Sequence, residues 1–428
     1  MMVAAGGSRA EVSLKITYIH QYFTTPDMVG GTRSYEFARR FVDWGHEVTV
    51  ISAWTEPSER RDWFVTEEAG VTVRWLPVRY ANQMSYRHRM MAFLRFATLA
   101  SAGAARTPAD VVFGTSTPLT VAIPAVRAAR AGRVPLVFEV RDLWPAVPIA
   151  LGALGNPALR WAAQRLERWA YRNSACVVAL SPGMRDGVVA TGYPRSRVAV
   201  IPNSCDVHAF DDPTIGRAFR ARRPWLGERP LVLYAGALGR ANGVHVLVDI
   251  AAALRQTSPD VRFLIIGDGY DRDTVRAKAH AANVLDATLF MEDALPKRDV
   301  MAAFAAADLS ACLFIDAEPL WTGSPNKLFD SFAAGTPVFI NYGGWQADLV
   351  LEGGAGVVSV GEAAPVAAER IARFLHDTER CSDAGRNAKT LALESFNRDD
   401  HARQLLRVFE AAVDGNGANA SGVTPRWA

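Results

Sequence analysis

The amino-acid sequence predicts an α/β protein with two doubly wound domains, each a largely parallel sheet with helices on both faces. Short β-branched runs alternate with longer helical patterns along almost the whole chain, the order that builds parallel sheets through crossover helices. Several runs, such as "VPLVFEV", are apolar at consecutive positions, as expected of strands covered on both faces. The alternation stops in "DDPTIGRAFRARRPWLGERP", which has few apolar residues, and then starts again. Two such series imply two domains.

The strand candidates follow one another in order along each series. The first series contains "KITYIHQYF", "HEVTVISAW", "VTVRWLPV", "DVVFGTS", "VPLVFEV", "ACVVALS" and "VAVIPN". The second contains "LVLYAGAL", "VRFLIIGDG", "LSACLFI", "TPVFINYGG" and "GVVSV". Between the first two strands, apolar residues recur at helical spacing, namely Phe37, Ala38, Phe41 and Val42. Gly45 suits the end of that helix.

The domain boundaries follow from the two series and from the composition of the chain ends. The first domain is expected over residues 14–205 and the second over 206–395. The amphipathic stretch 396–412 follows the last strand, and its pattern allows packing on either domain. Residues 1–13 are expected to be flexible. Residues 413–428, rich in Gly, Asn and Ser, are expected to be disordered.

Composition indicates an ordinary globular protein and excludes several classes. Of 428 residues 50% are hydrophobic and 21% charged, and the net charge of +3 does not indicate a nucleic-acid partner. The four cysteines contain no C-x-x-C pair, so neither a zinc site nor a disulfide framework is predicted. The first residues lack the apolar core of a signal peptide, and no apolar run reaches the length of a membrane span. We therefore expect a cytoplasmic protein.

One stretch, residues 84–96, combines basic and apolar residues on a predicted helix. Its basic residues are Arg87, His88, Arg89 and Arg95. Such a helix can lie on a membrane surface, which here would be the inner face of the cytoplasmic membrane. It can also be a crossover helix whose arginines extend around a buried face. The sequence leaves both interpretations open.

The segment "TGSPNKLFDSFAAGTPVFI" carries the most chemical information. Ser324 and Pro325 form a helix start, with a side-chain cap and a residue that needs no N–H at the first position. A helix N-terminus attracts anions, and Lys327 adds a full charge in the first turn. Asp330 lies three residues further on and hence on the same face. These groups suit a diphosphate and the hydroxyls of a ribose, although a solvated ion pair between the two side chains is the alternative.

Two glycine-containing loops follow strands of the second series. "LYAGALGRANG" contains Gly236, Gly239 and Arg240, and "LIIGDGYDRD" contains Gly267 and Gly269. Ligands of doubly wound sheets bind beyond the carboxyl ends of the strands. We therefore expect both loops to converge with the helix start at residue 324 on one crevice.

The first domain has polar groups at the same edge. "VFEVRDLWP" places Arg141 and Asp142 at a strand end, where a ligand would sit. A buried ion pair that fixes the junction is the alternative for these two residues. His20 lies near the end of the first strand and is a candidate ligand contact, the alternative being a histidine satisfied by the backbone.

Taken in order, these segments resemble the retaining glycosyltransferase family 4, which has the GT-B fold, and especially its bacterial surface-polysaccharide branch. The matching segments are "GGTRSYEFARRFVDWGHEVTVI", "VFEVRDLWP", "VALSPGM", "VIPNSCD", "YAGALGRANGV", "LIIGDG" and "SPNKLFDSFAAGTPV". The resemblance implies two Rossmann-like domains that face each other across a cleft, an N-terminal acceptor domain and a C-terminal domain for a nucleotide-sugar donor. It also implies that the last helix returns to the N-terminal domain. On this resemblance Arg141 and Asp142 lie where an acceptor or donor sugar would sit, and His20 is a candidate toward the acceptor.

The resemblance assigns roles to residues of the second domain. Asp330 resembles the acidic residue that bonds the donor's ribose. Lys327 and Arg240 would neutralise the diphosphate. Gly267 and Gly269 resemble the turn beside the base and ribose.

The first loop, "MVGGTRSYEF", follows a strand and precedes a helix, but its spacing does not fit a dinucleotide fingerprint. Gly30 and Gly31 resemble the loop that approaches the diphosphate or sugar from the opposite domain. Arg33 at the helix start is a candidate contact for a phosphate across the cleft, and a surface arginine is the alternative.

The sequence also departs from the family pattern. Ala237 and Asn242 stand where many members have Arg and Lys, and Thr322 stands where many have the first of two glutamates. Arg141 and Asp142 stand where many have a histidine after the fifth strand. We interpret the change at Arg141 and Asp142 as tuning for a substrate rather than loss of activity. The changes at Ala237, Asn242 and Thr322 would favour a non-catalytic binding protein if they abolish turnover, and phosphate neutralisation must then come from Arg240, Lys327 or elsewhere.

The function expected from the resemblance is transfer of a hexose or N-acetylhexosamine from a nucleoside diphosphate, UDP above all, with retention and without a metal or other cofactor. The acceptor would be a glycan or a polyprenyl-diphosphate-linked glycan. A nucleotide-sugar epimerase and a non-catalytic binding protein are the alternatives. No strand is followed by G-x-G-x-x-G with a suitably placed acidic residue, which disfavours a nicotinamide dehydrogenase.

Overall fold

A computed structural model describes residues 13–81 and 84–422. It contains two α/β domains, as predicted, with an eight-stranded sheet in the first and a six-stranded sheet in the second. The strands of the first sheet are β1 (Lys15–Ile19), β2 (Glu47–Trp54), β3 (Phe64–Glu68), β4 (Val71–Pro77), β5 (Val111–Thr115), β6 (Leu136–Val140), β7 (Cys176–Ala179) and β8 (Val198–Val200). Its helices are α1 (Arg33–Asp43), α2 (Tyr86–Ala104), α3 (Ala122–Gly132), α4 (Ala146–Ala150), α5 (Pro157–Arg172) and α6 (Pro182–Ala190).

The strand order of the first sheet is β3-β4-β2-β1-β5-β6-β7-β8, and all of its pairings are parallel except β3 with β4. The central strands β5, β6 and β7 are buried at every position, which explains their unbroken apolar runs. Sequence reasoning missed β3, because this edge strand is half exposed and has no buried residue.

The second domain has a fully parallel sheet in the order β11-β10-β9-β12-β13-β14. Its strands are β9 (Leu231–Ala235), β10 (Arg262–Ile266), β11 (Leu289–Glu292), β12 (Leu309–Cys312), β13 (Val338–Ile340) and β14 (Gly356–Val358). The helices are α7 (Thr214–Ala221), α8 (His245–Thr257), α9 (Arg272–Ala281), α10 (Lys297–Ala306), α11 (Glu318–Trp321), α12 (Asn326–Ala334), α13 (Trp345–Glu352), α14 (Ala364–His376) and α15 (Thr378–Ser395). Strand β11 was also missed, because only one of its four residues is buried.

The last helix, α16 (Arg398–Val413), packs on the first domain rather than the second. The ring of Phe409 lies 5.6 Å from that of Phe41 on α1 and 5.0 Å from that of Phe113 on β5. At the helix start, Asp399 accepts a hydrogen bond of 2.6 Å from Arg40 Nε. The chain thus crosses from the second domain back to the first, which ties the two domains together.

The end of the chain differs from the expectation of disorder from residue 413. Residues Gly417–Gly422 form a 3₁₀ helix on the edge of the first sheet, and the Gly417 carbonyl accepts from Cys176 Sγ at 3.4 Å. A Cβ at Gly417 would lie 3.0 Å from the Ala175 carbonyl oxygen. The absence of a side chain there therefore permits the close approach. Of residues 1–13, which were expected to be flexible, residues 1–12 lie outside the described part of the chain, as do the last six residues, 423–428.

The helices within residues 13–81 and 84–422 include none that is both long and apolar enough to cross a membrane.

Candidate active site

The two domains meet at the carboxyl ends of their parallel strands. Ser181 Oγ, at the start of α6, donates to the Thr322 carbonyl at 2.6 Å. The Asn203 amide donates to Ser324 Oγ at 3.1 Å. A Cβ at Gly31 would lie 2.7 Å from Asn326 Nδ2. The first domain's loops therefore touch the start of α12 directly, and the cleft between the domains is narrow there.

Lys327 occupies the centre of this junction, in the first turn of α12. Its Nζ lies 3.7 Å from the centroid of the Tyr234 ring on β9, and a Cβ at Gly236 would lie 2.9 Å from that Nζ. Burial lowers the pKa of the Lys327 ammonium to about 8, although the neighbouring Cys312 opposes the shift. An ammonium held over an aromatic face, with amides of a helix N-terminus beside it, is suited to an anion.

Asp330, one turn further along α12, pairs with a different lysine from the one that helical spacing suggests. Its carboxylate accepts from Lys297 Nζ at the start of α10, and the two side chains are only 9% and 16% exposed. Lys327 instead points toward β9. The alternative of a solvated Lys327–Asp330 ion pair is therefore wrong, because the two side chains leave the helix toward different neighbours.

The glycine loops after β9 and β10 converge, as expected. The Gly236 amide donates to the Ile266 carbonyl at 2.9 Å, and Leu238 donates to Asp268 at the same distance. A Cβ at Gly267 would lie 1.9 Å from the Gly236 carbonyl oxygen. Gly267 and Gly269 also have φ values of 157° and 153°, which favour glycine. The glycines at 236, 267 and 269 thus allow the two loops to pack closely together. Lys327 Nζ lies beside Gly236 at this contact.

Arg141 and His20 face the same junction from the first domain. Arg141 Nη1 lies 3.3 Å from His20 Nε2, and its Nη2 would lie 3.9 Å from a Cβ at Gly31. Burial, and then the charge of Arg141, hold the pKa of His20 well below its ordinary value. His20 is therefore neutral with Nε2 as an acceptor, and its buried Nδ1 has no partner among the described residues.

Asp142 is held beside these groups but is not paired with Arg141 through a hydrogen bond. Its Oδ2 accepts from Thr117 Oγ1 at 3.2 Å, while the Arg141 amide donates to Ser116 Oγ at 3.1 Å. Burial raises the pKa of Asp142, and the charge of Arg141 partly offsets this. The hydroxyl groups of Ser116 and Thr117 thus hold the strand–loop junction. The Arg141 side chain is not needed for this and extends toward Gly31.

Two of the predicted contacts need correction. Arg33 is fully buried, and its guanidinium donates to Glu139 at 2.8 Å and to the Ile201 carbonyl at 2.9 Å. It therefore cannot reach a phosphate in the cleft, because all its polar atoms face the domain interior. Ser324 does not cap α12, which begins at Asn326 without a side-chain cap. Its hydroxyl accepts from Asn203 instead, so it joins the domains.

Arg240 makes its contacts on the outside of the glycine loop. Its guanidinium lies 4.7 Å from the centroid of the Tyr270 ring, and Nη2 donates to the Tyr270 hydroxyl at 3.2 Å. Tyr270 is 61% exposed. Gly239 directly precedes this arginine. Gly30, in the loop of the first domain and with φ 147°, packs on Thr24.

Sequence reasoning missed several residues that line the junction. Asn326 stands next to Lys327 in "SPNK", so the motif itself could have indicated it. Tyr234 lies two residues before Gly236 but appeared only as a strand residue. Lys297 follows Pro296 at the start of α10, and it was missed because the preceding strand β11 was missed.

No group of three or more His, Cys, Asp and Glu side chains is placed to hold a metal ion anywhere in residues 13–81 and 84–422.

Comparisons with known proteins define the class. The family described as "Glycosyl transferase 4-like domain" matches residues 30–204, and the family "Glycosyl transferases group 1" matches residues 217–391. These matches cover the two domains seen in the structure, on either side of the junction built around Lys327. The chain belongs to the GT-B glycosyltransferases that combine these two domains, and the predicted resemblance to family 4 is confirmed.

Individual relatives agree with this class. The chain is 25% identical over 311 residues to a GDP-mannose-dependent α-(1-6)-phosphatidylinositol monomannoside mannosyltransferase of Mycobacterium tuberculosis, covering 71% of this chain and 76% of that protein. Sucrose-phosphate synthase from Thermosynechococcus elongatus has a similar fold, with a TM-score of 0.73 and 16% identity, over 92% of this chain and 98% of that one. Anabaena HepE in complex with UDP and glucose gives a TM-score of 0.68 and 18% identity, over 93% and 100%. The structural likenesses establish the GT-B fold.

Proposed function

We propose that this glycosyltransferase moves a hexose or N-acetylhexosamine from a nucleoside diphosphate, with UDP as the expected nucleotide, to a glycan or polyprenyl-diphosphate-linked acceptor of a surface polysaccharide or glycoconjugate. The observation that carries the proposal is the half-buried ammonium of Lys327, held between Tyr234 and Gly236 at the start of α12. The HepE structure with UDP and glucose supports a uridine nucleotide as the first donor to test.

The chemistry follows from charge. When the bond between the anomeric carbon and the departing oxygen breaks, negative charge grows on the diphosphate. A preorganised cation and helix amides stabilise that charge more in the transition state than in the ground state. Lys327 and the first turn of α12 supply both, and Asp330 lies one turn further for the ribose hydroxyls. We propose that this arrangement works without a metal ion.

The acceptor side is assigned to the first domain. Gly31 approaches α12 closely, which brings Arg141 and His20 toward a sugar held by the second domain. His20 is neutral and buried, its Nδ1 has no partner among the described residues, and its Nε2 holds the Arg141 guanidinium at 3.3 Å, which can contact a phosphate or ring oxygen. Retention of configuration, with the acceptor entering on the leaving-group face, is the stereochemistry that we propose.

The test is a screen of nucleotide sugars for donor hydrolysis, with mass spectrometry to identify the leaving nucleotide. Asp330→Asn should weaken UDP-sugar binding about 10- to 100-fold by calorimetry, because a charged acceptor for the ribose contributes about 1.5–3 kcal/mol. Asp249→Asn is the matched control, since Asp249 also pairs with a lysine, Lys278, but between α8 and α9. Unchanged binding by Asp330→Asn would remove the donor site from this crevice. Epimerised donor without nucleotide release would favour the epimerase.

A further inference from the structure

Helices α2, α3 and α5 lie side by side on one face of the first sheet. Phe96 of α2 and Ala125 of α3 share one buried core, against which Trp169 of α5 also packs. Arg130 at the end of α3 donates to the Asn173 side chain, just after α5, at 2.6 Å. The outer sides of the three helices therefore form one continuous surface, which we call the basic-apolar face.

This face is cationic and has no exposed carboxylate on its helices. The three helices contain three, two and four arginines and a single acidic residue, Glu167. Glu167 is buried and accepts from the Tyr171 hydroxyl at 3.2 Å. The exposed arginines are Arg87, Arg95, Arg127, Arg130, Arg165 and Arg172. None of them forms an ion pair with a carboxylate within the described part of the chain, so their charge is available to a partner.

Large apolar side chains project from the same face. On α2, Met91 is 66% exposed and Leu94 51%, while on α5 Leu159 is 53% exposed and Trp161 60%. The guanidinium of Arg165 lies 5.6 Å from the centroid of the Trp161 ring. The opposite side of α2 is buried in the core. Helix α2 is thus a crossover helix with a buried inner side, and its outer side presents both basic and apolar residues.

Four of the exposed apolar residues lie toward the cleft end of this face, while Leu99, 43% exposed, lies further along α2. Each helix follows a strand of a parallel sheet and so begins near the carboxyl edge and runs back along the sheet. Met91 and Leu94 lie in the first half of α2, and Leu159 and Trp161 in the first two turns of α5. The carboxyl edge is where Gly31 and Arg141 meet the second domain.

We propose that the basic-apolar face docks on an anionic phospholipid membrane, with Met91, Leu94, Leu159 and Trp161 at the boundary between headgroups and acyl chains. Arginines near an anionic bilayer draw the face to it, and exposed apolar and Trp side chains insert beside them. A nucleic acid or acidic protein surface would satisfy the arginines but leave these apolar side chains in water. Docking would hold the cleft beside a lipid-linked acceptor, and in that respect alone the inference rests on the proposed function.

The experiment is flotation of the full chain with vesicles of phosphatidylcholine, with and without phosphatidylglycerol. We expect binding only to the anionic vesicles, and weaker binding as salt rises. Each arginine near an anionic surface contributes roughly a fivefold factor, so the variant R87Q/R95Q/R127Q should bind about 100-fold more weakly. The matched control is R217Q/R276Q/R407Q, which changes the net charge equally at exposed arginines on other helices.

A second variant, M91S/L94S/W161S, tests the apolar part and should lose most of the binding that survives in high salt. Equal flotation by the two arginine variants would overturn the proposal, as would equal binding of the wild type to neutral vesicles. Retention of single-stranded RNA without vesicle binding would also overturn it and assign the face to another polyanion. Donor hydrolysis, measured without lipid, should be the same in all these variants. Vesicle binding by a chain that hydrolyses no nucleotide sugar would leave docking standing and refute the proposed function instead.

Discussion

The lowered pKa of Lys327 gives a direct test of its role toward the diphosphate. With a pKa of about 8, about nine-tenths of this side chain is protonated at pH 7 and about one-tenth at pH 9. Only the ammonium form can bind a diphosphate through its charge. The Kd for UDP should therefore rise about tenfold between pH 7 and pH 9, because the protonated fraction falls by that factor.

Calorimetry can separate this titration from those of the nucleotide. Lys327→Arg keeps its charge throughout this range, so it should show only the pH dependence that the nucleotide and other groups contribute. In buffers of different ionisation heat, wild-type binding should take up almost no proton at pH 7 and about one at pH 9. A constant ratio of wild-type to Lys327→Arg affinity across this range would refute the reasoning, as would tight binding by Lys327→Met.

The same lysine has the opposite effect on folding. Its folded pKa of about 8 lies below the ordinary lysine pKa of 10.5, so the unfolded chain binds more protons between these two pH values. Its contribution to the free energy of unfolding therefore rises with pH from about 8 to about 10.5. Donor affinity falls over the same range, because burial disfavours the charge that the diphosphate requires.

Three further changes test how the site is held. Arg33→Met should lower the free energy of unfolding, measured in urea, by about 3–5 kcal/mol, since it leaves Glu139 as a buried unpaired charge. The double variant Arg33→Met/Glu139→Leu should recover part of this loss. An unchanged urea midpoint together with weaker donor binding would instead support a contact between Arg33 and a phosphate. Lys297→Met should lower the free energy of unfolding by about 1–3 kcal/mol. This is less than for Arg33→Met, because the Lys297–Asp330 ion pair is slightly exposed. An unchanged free energy of unfolding would mean that this ion pair does not form in solution. Gly183→Ala should lower kcat/KM about tenfold, because its Cβ would lie 2.8 Å from Thr322 Cγ2 across the cleft. Adding Thr322→Ala should restore activity, and a failure to do so would exclude this contact as the cause.

Much of the architecture could be predicted from local patterns. Strands buried on both faces, such as β5 and β6, have unbroken apolar runs. Because the strands are parallel, the loops that follow them lie at the same edge of the sheet. The convergence of the two glycine loops was predicted for the same reason, while the donor-binding role of Gly267 stays a prediction. The edge strands β3 and β11 lack that pattern, because few of their residues are buried.

Side-chain partners could not be predicted in the same way. Arg33 at a helix start looks in the sequence like a ligand contact or a surface residue, and its real partner, Glu139, is 106 positions away. Asp330 has Lys327 three residues before it, yet its partner is Lys297 on another helix. Helical spacing shows which side chains lie on one face. It does not show toward which neighbour each one extends, since that depends on the packing of distant elements.

The family positions that differ in this chain acquire a physical interpretation from the contacts across the cleft. Thr322, where many members have a glutamate, fits its methyl group against Gly183, and its carbonyl accepts from Ser181. A longer acidic side chain at position 322 would meet α6 at this closely packed contact. The position therefore belongs to the contact between the two domains. Arg240 contacts the Tyr270 ring, and the other family cations are lost at Ala237 and Asn242. Under the function proposed above, we therefore expect donor binding to depend on the ammonium of Lys327 and hence on pH.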